Sequence, residues 1–261
     1  MVSMSPSYKS DYEHYKDYVR SRELLFDTEI KDRLEYSYQL LYILSTISSS
    51  VNTIDPRSKI KHFYNEVKNN FIITFDLINM NYLNSAKQVL RSTIEAFFRF
   101  SLTLHRYIEY KENRKRQIFH ATDTLKDLKA MSDTHSVWKM TSYTVNYFED
   151  TPIKTIISNL NHQYSILSGN VHVNSNDNFT LQEYLSEYAV YDFTKSSDTI
   201  NLYNQIITEM LVAIYYFTFL LIDENVFFDK KDIQVLELNS ISGIKLTLDN
   251  IDEYFTSISD S

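Results

Sequence analysis

The sequence predicts an all-α protein, an up-and-down helical bundle carrying a small β-hairpin as a C-terminal extension. Three observations carry that reading. The 261 residues include two glycines and three prolines, too few for folds built on many tight turns, which need residues that tolerate unusual φ. Apolar residues recur at spacings of three and four over most of the length. Apolar side chains make up 43% of the chain and aromatics 15%, ample for a large core. The chain divides into a leader helix over 1–26, a bundle domain over 27–225 and an acidic extension over 226–261.

The elements follow in order. Residues 8–22 are rich in tyrosine and charge and read as an amphipathic leader. Residues 27–50 read as helix, with Leu34, Tyr38, Leu41 and Leu44 at helical spacing, ended by Ser48-Ser49-Ser50. Asp55-Pro56 gives a cap and a first-turn proline for a helix over 56–79. The next helix covers 83–110, and the basic run 111–116 marks either a junction or its solvated continuation. Residues 117–131 read as helix and 132–151 as a long connection anchored by Trp138. Thr151-Pro152 opens a helix to about Leu167, Thr180 with Glu183 forms a capping box for 181–191, and 197–224 is the last long helix. In the tail, Ile233–Leu238 and Ile244–Leu248 alternate polar and apolar residues, with Gly243 between them, the pattern of a hairpin.

Composition also excludes. The absence of cysteine removes disulfide scaffolds and thiolate metal sites. The most apolar stretch, Met210–Ile222, is too short to span a bilayer, and the N-terminus lacks the basic and apolar regions of a signal peptide. A cytoplasmic protein with no membrane contact is therefore expected. No glycine-rich phosphate loop is present, which weighs against a nucleoside triphosphatase, and no cofactor is expected. The net charge of -8 argues against indiscriminate nucleic-acid binding. The charge is uneven, however. Residues 105–129 carry seven basic and four acidic side chains, and 223–261 carry three basic and nine acidic ones. A local anion-binding surface fits inside such a chain.

Two segments hold the candidate site residues. Arg91, Glu95 and Arg99 are spaced by four and share one helix face. Phe98 and Leu102 lie beside that stripe, so the face is not freely solvated, and its charges need pairing or an anionic ligand. The row is either a ladder of ion pairs tying helices together or a functional arginine site. Tyr164, Ser168 and His172 are spaced in the same way, with Gly169, Asn170 and Asn174 alongside. An imidazole there suits general acid–base chemistry near neutral pH. Gly169 either permits close approach of a helix or ligand, or ends the helix as a C-cap. His162 lies ten residues before His172, but no Asp, Glu or Cys joins them at metal-ligand spacing, so no metal site is expected. His105, Arg106 and His120 flank the basic run and read either as a solvated face or as the lining of an RNA or nucleotide surface.

The segment Leu83–Leu104, followed by Tyr164, Ser168 and His172, resembles uncharacterised bacterial helical proteins related to the HEPN superfamily. The resemblance spans about residues 30–222. It implies a helical bundle, commonly a homodimer, and a metal-independent endoribonuclease of a phage-defence or toxin–antitoxin system. On that reading His172 is the general base or acid. Arg91 and Arg99 bind phosphate, Glu95 orients them, and Tyr164 and Ser168 support the histidine. The superfamily motif places an arginine four to six residues before the histidine, and this sequence has Ile166, Leu167 and Ser168 there. Two alternatives stay open: a non-catalytic interaction module with a protein partner in such a system, and a binder of a small anionic or nucleotide ligand.

Overall fold

The structure, a computed structural model, describes residues 28–55, 57–171 and 190–220, with residues 12–13, 16–17, 19–20 and 24–25. Most of the expected leader, the short helix at 181–191 and the hairpin of the 226–261 extension lie outside the described residues. Among the described residues the regular structure is all helix, joined by turns and short connections, with no strand. The elements are α1 (Lys31–Thr46), α2 (Ser48–Val51), α3 (Ile60–Asn79), α4 (Leu83–Lys115), α5 (Asp123–Asp133), α6 (Val137–Tyr147), α7 (Lys154–Val171) and α8 (Phe193–Leu220). None is long and apolar enough to cross a membrane.

The hub is α4. Its 33 residues make a rod about 50 Å long at the ordinary helical rise. It packs against α3, α5, α6, α7 and α8, while α1 packs on α3 and α8. Ala86, Leu90, Phe97 and Leu104 are buried, and so are Phe98 and Leu102 beside the charged stripe. A helix that is apolar on more than one face belongs at the centre of a bundle. Around it the core continues through Phe71, Leu160, Leu167, Ile207, Met210 and Phe217. Buried tyrosines find acceptors in the helix backbone: the Tyr64 hydroxyl donates to the Leu44 carbonyl and Tyr203 to that of Phe71.

So few glycines suffice because other residues take the left-handed positions at helix ends. After α3, Asn81 has φ 61°; its N–H reaches the Ile78 carbonyl, and the Tyr82 N–H reaches that of Leu77. After α4, Gln117 repeats the arrangement at φ 61°, with Gln117 bonded back to Arg114 and Ile118 to Asn113. Both are Schellman caps, where glycine is the usual choice. The first turns α3 straight into α4 through three residues.

Several boundaries differ from the sequence reading. The serines at 48–50 begin a further helical turn rather than ending one. Asp55 organises a turn, accepting the Arg57 N–H at 3.0 Å, and α3 starts only at Ile60. The basic run 111–116 proves to be helix almost to its end, as α4 reaches Lys115. Thr151 bonds back to the Phe148 carbonyl instead of capping α7. The last helix starts earlier, at Phe193, where the Asp192 carboxylate accepts the Lys195 N–H. The largest difference is the connection expected over 132–151, which contains helix α6. Its buried face is Met140, Thr141 and Thr144, and two threonines conceal a helical period from any hydropathy reading. Trp138, expected to anchor this stretch, is 74% exposed.

Candidate functional site

The row Arg91, Glu95 and Arg99 does share one side of α4, but the bundle divides it between two neighbours. Arg91 turns to α7. Its Nε–H donates to the Ser168 Oγ at 3.0 Å, and an Nη2 proton goes to the Tyr164 hydroxyl at 2.7 Å. The guanidinium carbon stands 4.9 Å from the centroid of the Tyr164 ring. Tyr164 and Ser168 can both reach it because a spacing of four stacks them one turn apart on α7. The Ser168 hydroxyl donates to the Tyr164 carbonyl at 2.8 Å, which leaves its oxygen lone pairs to accept from the arginine.

Arg99 turns to α5. It donates to the Ser132 carbonyl at 2.8 Å and pairs with Glu95 at 3.1 Å. Ser132 lies in the last turn of α5, where carbonyls have no helical partner and the helix dipole favours a cation. Arg99 therefore closes the end of α5, and Glu95 holds it there, in a site where the Arg99 side chain is only 16% exposed. For these two residues the geometry is that of the structural ladder.

The electrostatics of the two arginines differ accordingly. Arg99 has a carboxylate; Arg91 has only neutral partners among the described residues. A guanidinium carries five N–H donors, and Arg91 spends two of them on Tyr164 and Ser168. The Tyr164 hydroxyl accepts from Arg91, and its own proton has no acceptor among the described residues. A partly buried cation with spare donors, beside a hydroxyl with a spare proton, is suited to an anionic oxygen, for which the guanidinium fork is well shaped.

The remaining sequence candidates are placed as follows. His172 and Asn174 lie outside the described residues, and Asn170 is described only as backbone of α7. Gly169 does not end the helix, which continues to Val171, and among the described residues a Cβ placed on it meets nothing within 4 Å. His162 is exposed on α7. Among the described residues no group of three His, Asp or Glu side chains converges as a metal site would. His105 turns away from the surface expected for it and is buried between Tyr147, Phe148 and Phe217. Arg106 and His120 do reach the surface, where they line a cleft with Arg57. The sequence reading did not single out Arg57, because the segment that carries it is far away in the chain.

Comparison with known proteins adds no match: no family model, no curated protein and no solved structure proves similar to this chain.

Proposed function

We propose that the protein binds RNA through a backbone phosphate at Arg91, and that His172 converts this binding into metal-independent cleavage of the HEPN type. The observation that supports the reading is the pairing of Arg91, among the described residues, with neutral partners only, Tyr164 and Ser168, in a partly buried setting. In the reaction the 2′-hydroxyl of one nucleotide attacks the adjacent phosphorus in line. His172 takes the hydroxyl proton, and the 5′ oxygen of the next nucleotide leaves with a proton from the imidazolium or from water. The products are a 2′,3′-cyclic phosphate and a 5′-hydroxyl. Arg91 offsets charge growing on the non-bridging oxygens, a contribution largest where donors are already oriented. Tyr164 and Ser168 fix that orientation. A homodimer setting two such sites along one groove, in a phage-defence or toxin–antitoxin system, belongs to the same reading.

The test is an RNA cleavage assay in excess EDTA with wild type, His172→Ala and Arg91→Ala. Wild type yields cyclic-phosphate ends, His172→Ala yields none, and Arg91→Ala weakens RNA binding. Losing one phosphate contact to single-stranded RNA also lowers the slope of log affinity against log salt by about 0.7. Equal turnover by wild type and both variants refutes the proposal. A second reading, recognition without turnover, is favoured by Ile166, Leu167 and Ser168 standing where the superfamily motif has its arginine. It predicts Arg91-dependent binding with no cleaved ends.

A further inference from the structure

A second cluster of cations lies further along α4, about 22 Å of helix from Arg91 at the ordinary rise per residue. There the connection before α3, the C-terminal half of α4, the α4–α5 connection and α5 enclose a cleft of about 800 Å³. That volume lies in the range of small-molecule sites. Among the described residues its charged lining is Arg57, Arg106, Lys126 and Lys129 against one carboxylate, that of Asp55. Lys126 is paired with Asp123 at 2.8 Å. Arg57, Arg106 and Lys129 have no carboxylate partner among the described residues. Three unneutralised cations facing one cavity stand out in a chain of net charge -8.

The cleft is also aromatic, and its walls are held. Tyr107, Tyr110 and Phe119 line it, with Phe119 70% and Tyr110 48% exposed. Arg114 lies over the Phe119 ring, 4.6 Å from the centroid. The left-handed Gln117 turns the chain sharply after α4, which brings Ile118, Phe119 and His120 over the cleft. Lys59 pairs with Asp133 at 2.7 Å, tying the start of α3 to the end of α5, and Arg99 ties that same end to α4. The floor presents buried Thr103 and Asn113 beside Leu125.

We propose that this cleft binds a small phosphorylated ligand carrying a flat ring, a mononucleotide being the simplest. Arg57, Arg106 and Lys129 receive the phosphate, and the ring lies against the exposed faces of Tyr110 and Phe119. Charge fixes the anion, and stacking supplies affinity without strict choice among bases. The site is separate from the one at Arg91 and does not depend on it.

The experiment is calorimetric titration of the full chain with AMP, adenosine and inorganic phosphate. AMP binds at one site per chain, and adenosine and phosphate each bind roughly tenfold more weakly, as expected when either half of the ligand is missing. Arg106→Ala and Lys129→Ala each weaken AMP roughly tenfold, and Phe119→Ala weakens it severalfold. All three side chains are exposed, so melting curves should match wild type. Arg91→Ala leaves AMP affinity unchanged. The proposal is overturned if AMP, GMP, CMP and UMP all fail to bind at millimolar concentration. It is also overturned if the double variant of Arg106 and Lys129 binds AMP as wild type does, or if Arg91→Ala is the change that removes binding. Phosphate binding as tightly as AMP would overturn the ring contact.

Discussion

Lowering the pH from 7 to 5 should destabilise this protein through one side chain, His105. Its imidazole meets Phe148 at 4.6 Å, Phe217 at 5.2 Å and Tyr147 at 5.4 Å between ring centroids, each edge to face. Its Nε2 has no hydrogen-bond partner. Burial away from water disfavours the imidazolium and pushes the pKa from the ordinary 6.5 down to about 3. The direction then follows. Above pH 6.5 the imidazole is neutral in both folded and unfolded chains and adds no pH dependence. Between 6.5 and about 3 only the unfolded chain takes up the proton, so folding stability falls as the pH falls. The slope is about 1.4 kcal/mol per pH unit, or about 2 kcal/mol lost by pH 5. Carboxylates add their own acid dependence, so the quantity to measure is the difference between wild type and His105→Leu in urea unfolding at pH 7.5, 6 and 5. That difference should shift by about 2 kcal/mol in favour of the leucine variant from the highest pH to the lowest. If the two stability profiles run parallel, the reasoning is wrong: the three ring faces would then be stabilising the cation enough to cancel its desolvation.

Other changes test the caps and ties. Gln117→Gly should raise stability by about 0.5–1 kcal/mol, because the position is left-handed and glycine reaches it without strain; a thermal melt reads the gain. Gly169→Ala should also stabilise, by about 0.5–1 kcal/mol, since the added methyl lies inside a helix and meets no atom of the described residues within 4 Å; a lower melting temperature would contradict the placement. Asn81→Ala should cost about 1–2 kcal/mol in denaturant unfolding, through left-handed strain and loss of the 3.1 Å bond from Asn81 to the Val190 carbonyl. Arg99→Ala should cost about 1.5–3 kcal/mol and speed amide exchange in α5, while leaving RNA affinity close to that of wild type. A loss of RNA affinity comparable to that of Arg91→Ala would reassign Arg99 to the ligand.

Local composition made the helical class legible. A chain nearly without glycine and proline, with apolar residues every three or four positions, has few alternatives. The failures have local causes too. The helix α6 is hidden from a hydropathy pattern because Thr141 and Thr144, both buried, hold positions where an apolar residue would show the period. The threonine methyl packs in the core while its hydroxyl bonds back along the helix, as Thr144 does to Met140 at 2.8 Å. The start of α3 lies later than the sequence suggests because Asp55 serves a turn instead of a helix N-terminus.

For the site, spacing alone put Arg91, Glu95 and Arg99 on one face of a helix, and Tyr164 with Ser168 on one face of another. Periodicity fixes the angle of a side chain about its own axis. It carries no information on which neighbour lies across from that angle. The packing of α4 against both α5 and α7 assigned Arg99 to a helix end and Arg91 to two hydroxyls. Only that packing separated a neutralised cation from one with charge to spare, and the packing of α3 on α4 brought Arg57 to the same cleft as Arg106, 49 residues along the chain.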